Sequence, residues 1–189
     1  MEESMSINVK KRDGSVESLN LDKIHKMVEE ACKGLGGVSA SQVEMNSGIQ
    51  FFDGITTEQI QEILIRSASD LIDLDHPNYQ FVAARLLMFS CRKEAFHKNI
   101  WKEGMPSVFD VAAYNATVNK VYDEEILDKY SDEEWVKVNS WIDHDRDYLF
   151  TYAGLRQVTD KYLVQDRSCL LYTSPSPRDL STSRMPSSA

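Results

Sequence analysis

Residues 9–23 restrict the path of this chain more tightly than any other stretch. Asp13-Gly14 lies between two alternating runs, with Ile7, Val9 and Lys11 before it and Val16 and Leu19 after it. An Asp-Gly pair in that setting is a strong hairpin signal. Asn20 or Asp22 then stands where a helix N-cap belongs. Ile24, Met27, Val28, Ala31 and Cys32 follow at the spacing of one apolar helical face. Lys10, Lys11 and Arg12 sit on or beside the turn, and Lys23 falls in the first helical turn. A hairpin that gathers cations beside a helix N-terminus suits a phosphate. An isolated Lys-Arg-Asp-Gly turn, however, is ordinarily just a charged surface hairpin, so the segments that follow must decide.

Gly34, Gly36 and Gly37 end the first helix. Ser39 with Gln42 reads as a capping box opening a second, weaker helix to about residue 47. Ile49, Phe51 and Ile55 around Asp53-Gly54 predict a brief third strand. Thr56 or Thr57 would cap a third helix whose buried face is Ile60, Ile63, Leu64, Ala68 and Leu71. Pro77 suits the first position of a fourth helix carrying Phe81, Val82, Arg85, Leu86, Phe89 and Phe96 and ending on Arg92-Lys93. The expected fold class is α+β and mainly helical, a four-helix bundle capped by a small three-stranded sheet. Beyond Phe96 come a helical stretch near Val108–Val118, an acidic amphipathic stretch from Glu124 to Trp141 with a Ser131/Glu134 capping box, a helix through Leu155 and Val158, and an extended Tyr162-Leu163-Val164.

Composition excludes several classes of function. A net charge of −9 argues against a nucleic-acid groove over the whole surface, although the cations do cluster locally. No run of about 18 apolar residues exists to span a membrane. Met1-Glu2-Glu3-Ser4 lacks the features of a signal peptide, so the cytoplasm is the expected compartment. Cys32, Cys91 and Cys169 form no CxxC pair and make neither a disulfide framework nor a zinc site. Residues 168–189 hold seven serines and three of the five prolines, a composition expected to be disordered. They also resemble translated sequencing-adapter sequence and are set aside as a non-native tail, leaving a natural protein expected to continue past Arg167.

Lys11-Arg12-Asp13-Gly14-Ser15 occurs in order with Leu21-Asp22-Lys23-Ile24, Asp53-Gly54-Ile55-Thr56-Thr57, Ala83-Ala84-Arg85 and Arg92-Lys93. In that company the stretch resembles the ATP-cone, the nucleotide-sensing domain at the front of ribonucleotide reductase large subunits. Ile142 to Asp147 and Lys161 to Arg167 resemble the opening of the class I catalytic domain, of bacterial and phage type. The resemblance implies an ATP-cone over residues 6–97, a truncated helical segment of the catalytic domain over 98–167, and the tail over 168–189. It implies ATP or dATP, with Mg, as an allosteric effector. Lys11 and Arg12 would meet the phosphates; Glu17, Ser18, Leu19, Asn20, Leu21, Asp22 and Lys23 would wrap base and ribose, with Lys23 reaching back to phosphate. Thr57 would offer its hydroxyl and backbone N–H, and Lys93 would close the pocket, although a lysine also simply suits a helix C-terminus. Gln61 and Ser90 stand where some relatives with strong dATP inhibition carry histidines.

No catalytic residue and no metal ligand is expected in this chain. His144 among Asp143, Asp145 and Asp147 resembles a metal cluster but reads better as a salt-bridged loop. The parent would be a ribonucleoside-diphosphate reductase, an oxidoreductase of deoxyribonucleotide synthesis partnered by a radical-generating small subunit and by other large subunits. The fragment alone would be inactive. Two other functions compete. One is an ATP-cone in a non-enzyme regulator, which would carry paired CxxC motifs absent here. The other is a ligand-free helical interaction domain.

Overall fold

The computed structural model describes residues 7–11, 14–48, 50–96, 104–165 and 172–173. Arg12, Asp13, Ile49, Arg167 and Cys169, all named above, lie outside them. The described residues fall into two compact units, one built from those up to Ser90 with His144–Leu155, the other from Cys91–Asp143 and those from Arg156 onward. The fold is α+β and mainly helical, as the sequence predicts.

In the first unit, β1 (Asn8–Lys10) is the middle strand of a sheet ordered β2-β1-β3. It pairs antiparallel with β2 (Val16–Ser18) and parallel with β3 (Ile55–Thr56). The hairpin closes where the Gly14 N–H donates to the Lys11 carbonyl and the Lys11 N–H to the Ser15 carbonyl, at 3.0 and 2.8 Å. Gly14 has φ +84°, a left-handed conformation that a residue with a Cβ adopts only at a cost. Val9 and Ile55, paired across β1 and β3, turn into the core at 4% and 0% exposure.

Four helices carry the sheet. Helix α1 (Leu21–Cys32) is capped by Asn20, whose Oδ1 accepts from the Lys23 N–H. Helix α3 (Thr57–Asp70) opens on a reciprocal box in which Thr56 Oγ1 accepts from the Gln59 N–H and Gln59 Oε1 accepts from the Thr56 N–H. The predicted Ser39/Gln42 box at α2 (Ala40–Gly48) is built differently. The Tyr79 hydroxyl accepts from the Ser39 N–H and donates to Gln42 Oε1, so a buried side chain of α4 occupies the position between the two partners. Helix α4 (Tyr79–Phe96) begins two residues later than Pro77 would suggest. Pro77 lies instead in a tight turn whose carbonyl accepts from Gln80, while Asn78 Nδ2 donates to the Gly36 carbonyl. Tyr79, Val82, Ala83, Ala84, Leu86, Leu87 and Phe89 of α4 are all buried, so apolar contact surrounds it as it does a central helix.

Arg85 supplies what the end of α1 lacks. Its Nη1 donates to the Ala31 and Lys33 carbonyls at 3.0 and 2.7 Å, satisfying acceptors that a helix C-terminus leaves open. The guanidinium also lies 4.7 Å from the ring centroid of Tyr148, within the 3-10 turn His144–Leu149.

In the second unit, α5 (Val108–Thr117) starts on a Ser107/Asp110 capping box that the sequence reading missed. The acidic stretch predicted as one element divides into α6 (Glu125–Lys129) and α7 (Asp132–Trp141), because Ser131 caps the second with Glu134. Trp135 of α7 is buried, with the rings of Phe109 and Tyr130 edge-on at 5.6 Å each. The part of helix α8 (Tyr152–Lys161) from Arg156 onward falls in this unit and is followed by β4 (Val164–Gln165), which pairs antiparallel with β5 (Tyr172–Thr173). This ladder takes two residues from the stretch predicted to be disordered, where Leu170-Leu171-Tyr172-Thr173 is locally strand-prone.

Candidate functional site

Register decides which residues meet at the hairpin. Val9 faces Glu17 across the β1–β2 ladder, and side chains alternate along a strand, so Lys11 shares a face with Glu17 on the diagonal. A lysine easily spans a diagonal of about 7–8 Å. The result is an ion pair with Lys11 Nζ 2.6 Å from Glu17 Oε2. Lys23, in the first turn of α1, brings its Nζ to 3.7 Å from Glu17 Oε1. One carboxylate is thus held between two ammonium groups from different elements. The Lys11 hydrogen bond, first, and the charges of Lys11 and Lys23 hold the Glu17 carboxyl below the usual carboxylate range.

The strand directions also assign the helix N-termini. Strand β2 runs away from the turn, so α1 begins at the far end of the sheet and Lys23 reaches Glu17 through the length of its side chain. Strand β3 runs parallel to β1 with Lys10 opposite Thr56, so α3 begins at the turn end, level with Lys11. The helix start beside the hairpin cations is therefore that of α3, with Thr57 as its first residue.

Asp53 fixes this arrangement. Its Oδ1 accepts from the Asn8 backbone N–H at 2.8 Å and from Asn8 Nδ2 at 2.9 Å, while the Gly54 N–H donates to the Asn8 carbonyl. The acidic residue of the Asp53-Gly54-Ile55 motif is a clamp on β1. Only its local turn chemistry was readable beforehand, because the partner lies 45 residues away.

The predicted site residues divide accordingly. Lys11, Glu17 and Lys23 come together. Asn20 is occupied as the α1 cap, and Leu19 extends the ladder by donating its N–H to the Ile7 carbonyl. Ser18, Asp22 and Leu21 are exposed, and Leu21, 64% accessible, leaves apolar surface near Lys23; Val16, equally accessible, pairs with Lys10 and faces the other side of the ladder. Thr57 is half-buried. Arg12 lies outside the described residues. Lys93 is in the last turn of α4 and belongs to the second unit. Gln61, one of the two positions that depart from some relatives, donates its Nε2 to the Leu86 carbonyl at 2.9 Å. In a regular helix that carbonyl also receives the N–H of residue 90, so Gln61 and Ser90 converge on one acceptor.

Cys32 and Cys91 are partly buried free thiols. Burial pushes the Cys32 thiol to about 11 and the Cys91 thiol to about 12. Among the described residues, no three His, Cys, Asp or Glu side chains are grouped to hold a metal ion. His144 Nδ1 lies 3.9 Å from Asp147 Oδ2 within the 3-10 turn. No helix among them is long and apolar enough to cross a membrane.

Comparison with known proteins identifies the relatives of this chain. Residues 7–94 match the ATP cone domain family. Over 87% of its length the chain is 45% identical to ribonucleoside-diphosphate reductase 1 subunit alpha of Escherichia coli, of which it covers 21%. It is 46% identical over 86% of its length to the alpha subunit of Haemophilus influenzae, covering 21% of it. With that of Enterobacteria phage T4 it shares 39% identity over 89% of its length, covering 22%. Residues 7–94 thus carry the match to the ATP cone domain, and the chain as a whole is similar to the N-terminal regions of bacterial and phage ribonucleoside-diphosphate reductase alpha subunits, spanning about a fifth of their length.

Proposed function

We propose that this chain binds ATP and dATP at the hairpin face and serves as the allosteric activity site of a ribonucleoside-diphosphate reductase large subunit. The observation that carries the reading is the convergence of Lys11 and Lys23 on a single anionic group, the Glu17 carboxylate. Two ammonium groups arranged around one anion can receive the oxygens of a phosphate. Lysine suits an effector that must also leave, because it binds phosphate as a hydrated point charge rather than a rigid fork. The start of α3 at the same end of the sheet adds the positive end of a helix. Leu21, at the start of α1 two residues before Lys23, offers apolar surface on which a base can lie. The roles of Arg12, Thr57 and Lys93, and of Mg as counter-ion, rest on the family resemblance alone.

ATP and dATP differ by one hydroxyl. A site that separates them must contact the ribose closely, since a polar group left unpaired there costs about 1–3 kcal/mol. Nucleotide occupancy would then bias how large subunits associate with one another and with the small subunit, and so set the rate of deoxyribonucleotide synthesis in the cytoplasm. In this reading residues 6–97 form the regulatory domain and residues 98–167 open the catalytic domain. Chemistry belongs to parts of the parent enzyme beyond this chain.

Isothermal titration of this chain with ATP and with dATP tests the proposal. Saturable binding of at least one nucleotide is expected, weakened about tenfold or more when Lys11 and Lys23 are both replaced by alanine. The absence of saturable heat with either nucleotide refutes it and favours a ligand-free helical domain.

A further inference from the structure

Glu17 is more than one of several residues along the binding edge. Its two oxygens are divided between two lysines of separate elements, Oε2 to Lys11 and Oε1 to Lys23. The hairpin register brings the first pair within reach, because Lys11 and Glu17 are diagonal neighbours on one face of the hairpin. The second requires Lys23 to lie back along the sheet from the far end. Both contacts remain open to water, with 38%, 40% and 69% of the Lys11, Glu17 and Lys23 side chains accessible, so an incoming anion can reach either lysine without unfolding anything.

We infer that Glu17 is a resident counter-anion which a polyphosphate must displace from Lys11 and Lys23, so that ligand binding at this site is an exchange of anions. This rests on the proposed nucleotide site and goes beyond it by giving Glu17 an opposing role toward the phosphates. Without a ligand, the carboxylate keeps the two ammonium groups gathered and mutually tolerable. With a ligand, it must swing away from both, and its charge then repels the phosphates that replaced it. Affinity is thereby held down, which suits a sensor of an abundant nucleotide.

The test uses inorganic triphosphate, which has no base or ribose for Glu17 to touch, titrated by calorimetry at fixed ionic strength without divalent cations. The protein is this chain as wild type, Glu17→Gln and Glu17→Ala, with circular dichroism confirming that the variants fold. Both variants are expected to bind triphosphate about fivefold more tightly, the size of effect that two exposed charge pairs can produce. Equal or weaker binding by either variant, or no binding of triphosphate by a wild type that does bind ATP, overturns the inference and leaves the nucleotide site standing. If neither triphosphate nor ATP binds the wild type, the nucleotide site fails and the inference falls with it.

Discussion

Replacing Tyr79 by phenylalanine removes one oxygen atom from the first unit and should destabilise it by about 2 kcal/mol. The ring stays, and at 1% exposure it keeps its packing, so no cavity or area term enters. Only the hydroxyl is lost. It accepts from the Ser39 N–H at 3.0 Å and donates to Gln42 Oε1, so one atom closes the N-terminus of α2 from another helix. Gln42 is exposed and recovers its bond from water at small cost. Ser39 is half-buried, and an unpaired donor there costs about 1–3 kcal/mol. For a chain of this size, 2 kcal/mol lowers Tm by about 4–8 °C.

Urea unfolding of wild type, Tyr79→Phe, Gln42→Ala and the double variant measures this directly. Because one hydroxyl serves both partners, Gln42→Ala should cost little once Tyr79 is already phenylalanine, giving a clear coupling energy. A loss of less than about 0.5 kcal/mol in Tyr79→Phe, or strict additivity of the two changes, would refute the bridging role.

Three other outcomes follow from the geometry. Asp53→Ala should weaken ATP binding severalfold with only a modest fall in Tm, since the clamp on Asn8 fixes Lys11 against the start of α3; unchanged affinity would show that the clamp is irrelevant to the site. His25 is raised above its ordinary value of 6.5 by its hydrogen bond to Glu44 and then by that charge, so its stabilisation is complete below about pH 6.5 and fades as pH rises through the raised value. A Tm difference between wild type and His25→Gln that is larger at pH 6 than at pH 8 is expected. Leu64→Ala, at a fully buried position of α3, should cost about 2–5 kcal/mol in urea unfolding, and a loss under 1 kcal/mol would mean that α3 packs on another face.

Local signals in this sequence were readable because each depends on neighbours within a few residues. The Asp13-Gly14 turn, a cap at Asn20 or Asp22, a start of α3 at Thr56 or Thr57 and the Ser131/Glu134 box are of this kind. What stayed hidden depends on partners far along the chain. Ser39 and Gln42 satisfied the pattern of a capping box, but nothing nearby announced that Tyr79 would stand between them. Arg85 belonged to a recognisable motif, yet its service to the carbonyls of Ala31 and Lys33 needs α1 and α4 side by side. At the site, Lys11 and Lys23 were legible as cations. Their convergence on Glu17 was not, although the register that brings the first pair within reach follows from the turn. The helix N-terminus near Lys11 belongs to α3 because β3 is parallel to β1, and a two-residue strand declares no direction in its sequence.

A sheet with strands of two and three residues is too small to stand alone, so its order comes from the bundle through Val9 and Ile55 and from the Asp53 clamp. The polar edge above that anchorage has different energetics. Its charges are exposed, paired internally through Glu17, and therefore nearly neutral in their effect on stability. Separating the two jobs lets the edge change partners without threatening the fold. On the proposed function, a nucleotide at one hundred times its Kd would still add about 2.7 kcal/mol to stability by mass action. That gain should appear as a higher Tm and should fall to about half or less in the Lys11/Lys23 double variant, whereas Tyr79→Phe should lower the baseline and leave the increment intact. A fold-stabilising contact and a ligand-binding contact in one small domain can thus be told apart by whether the increment or the baseline moves.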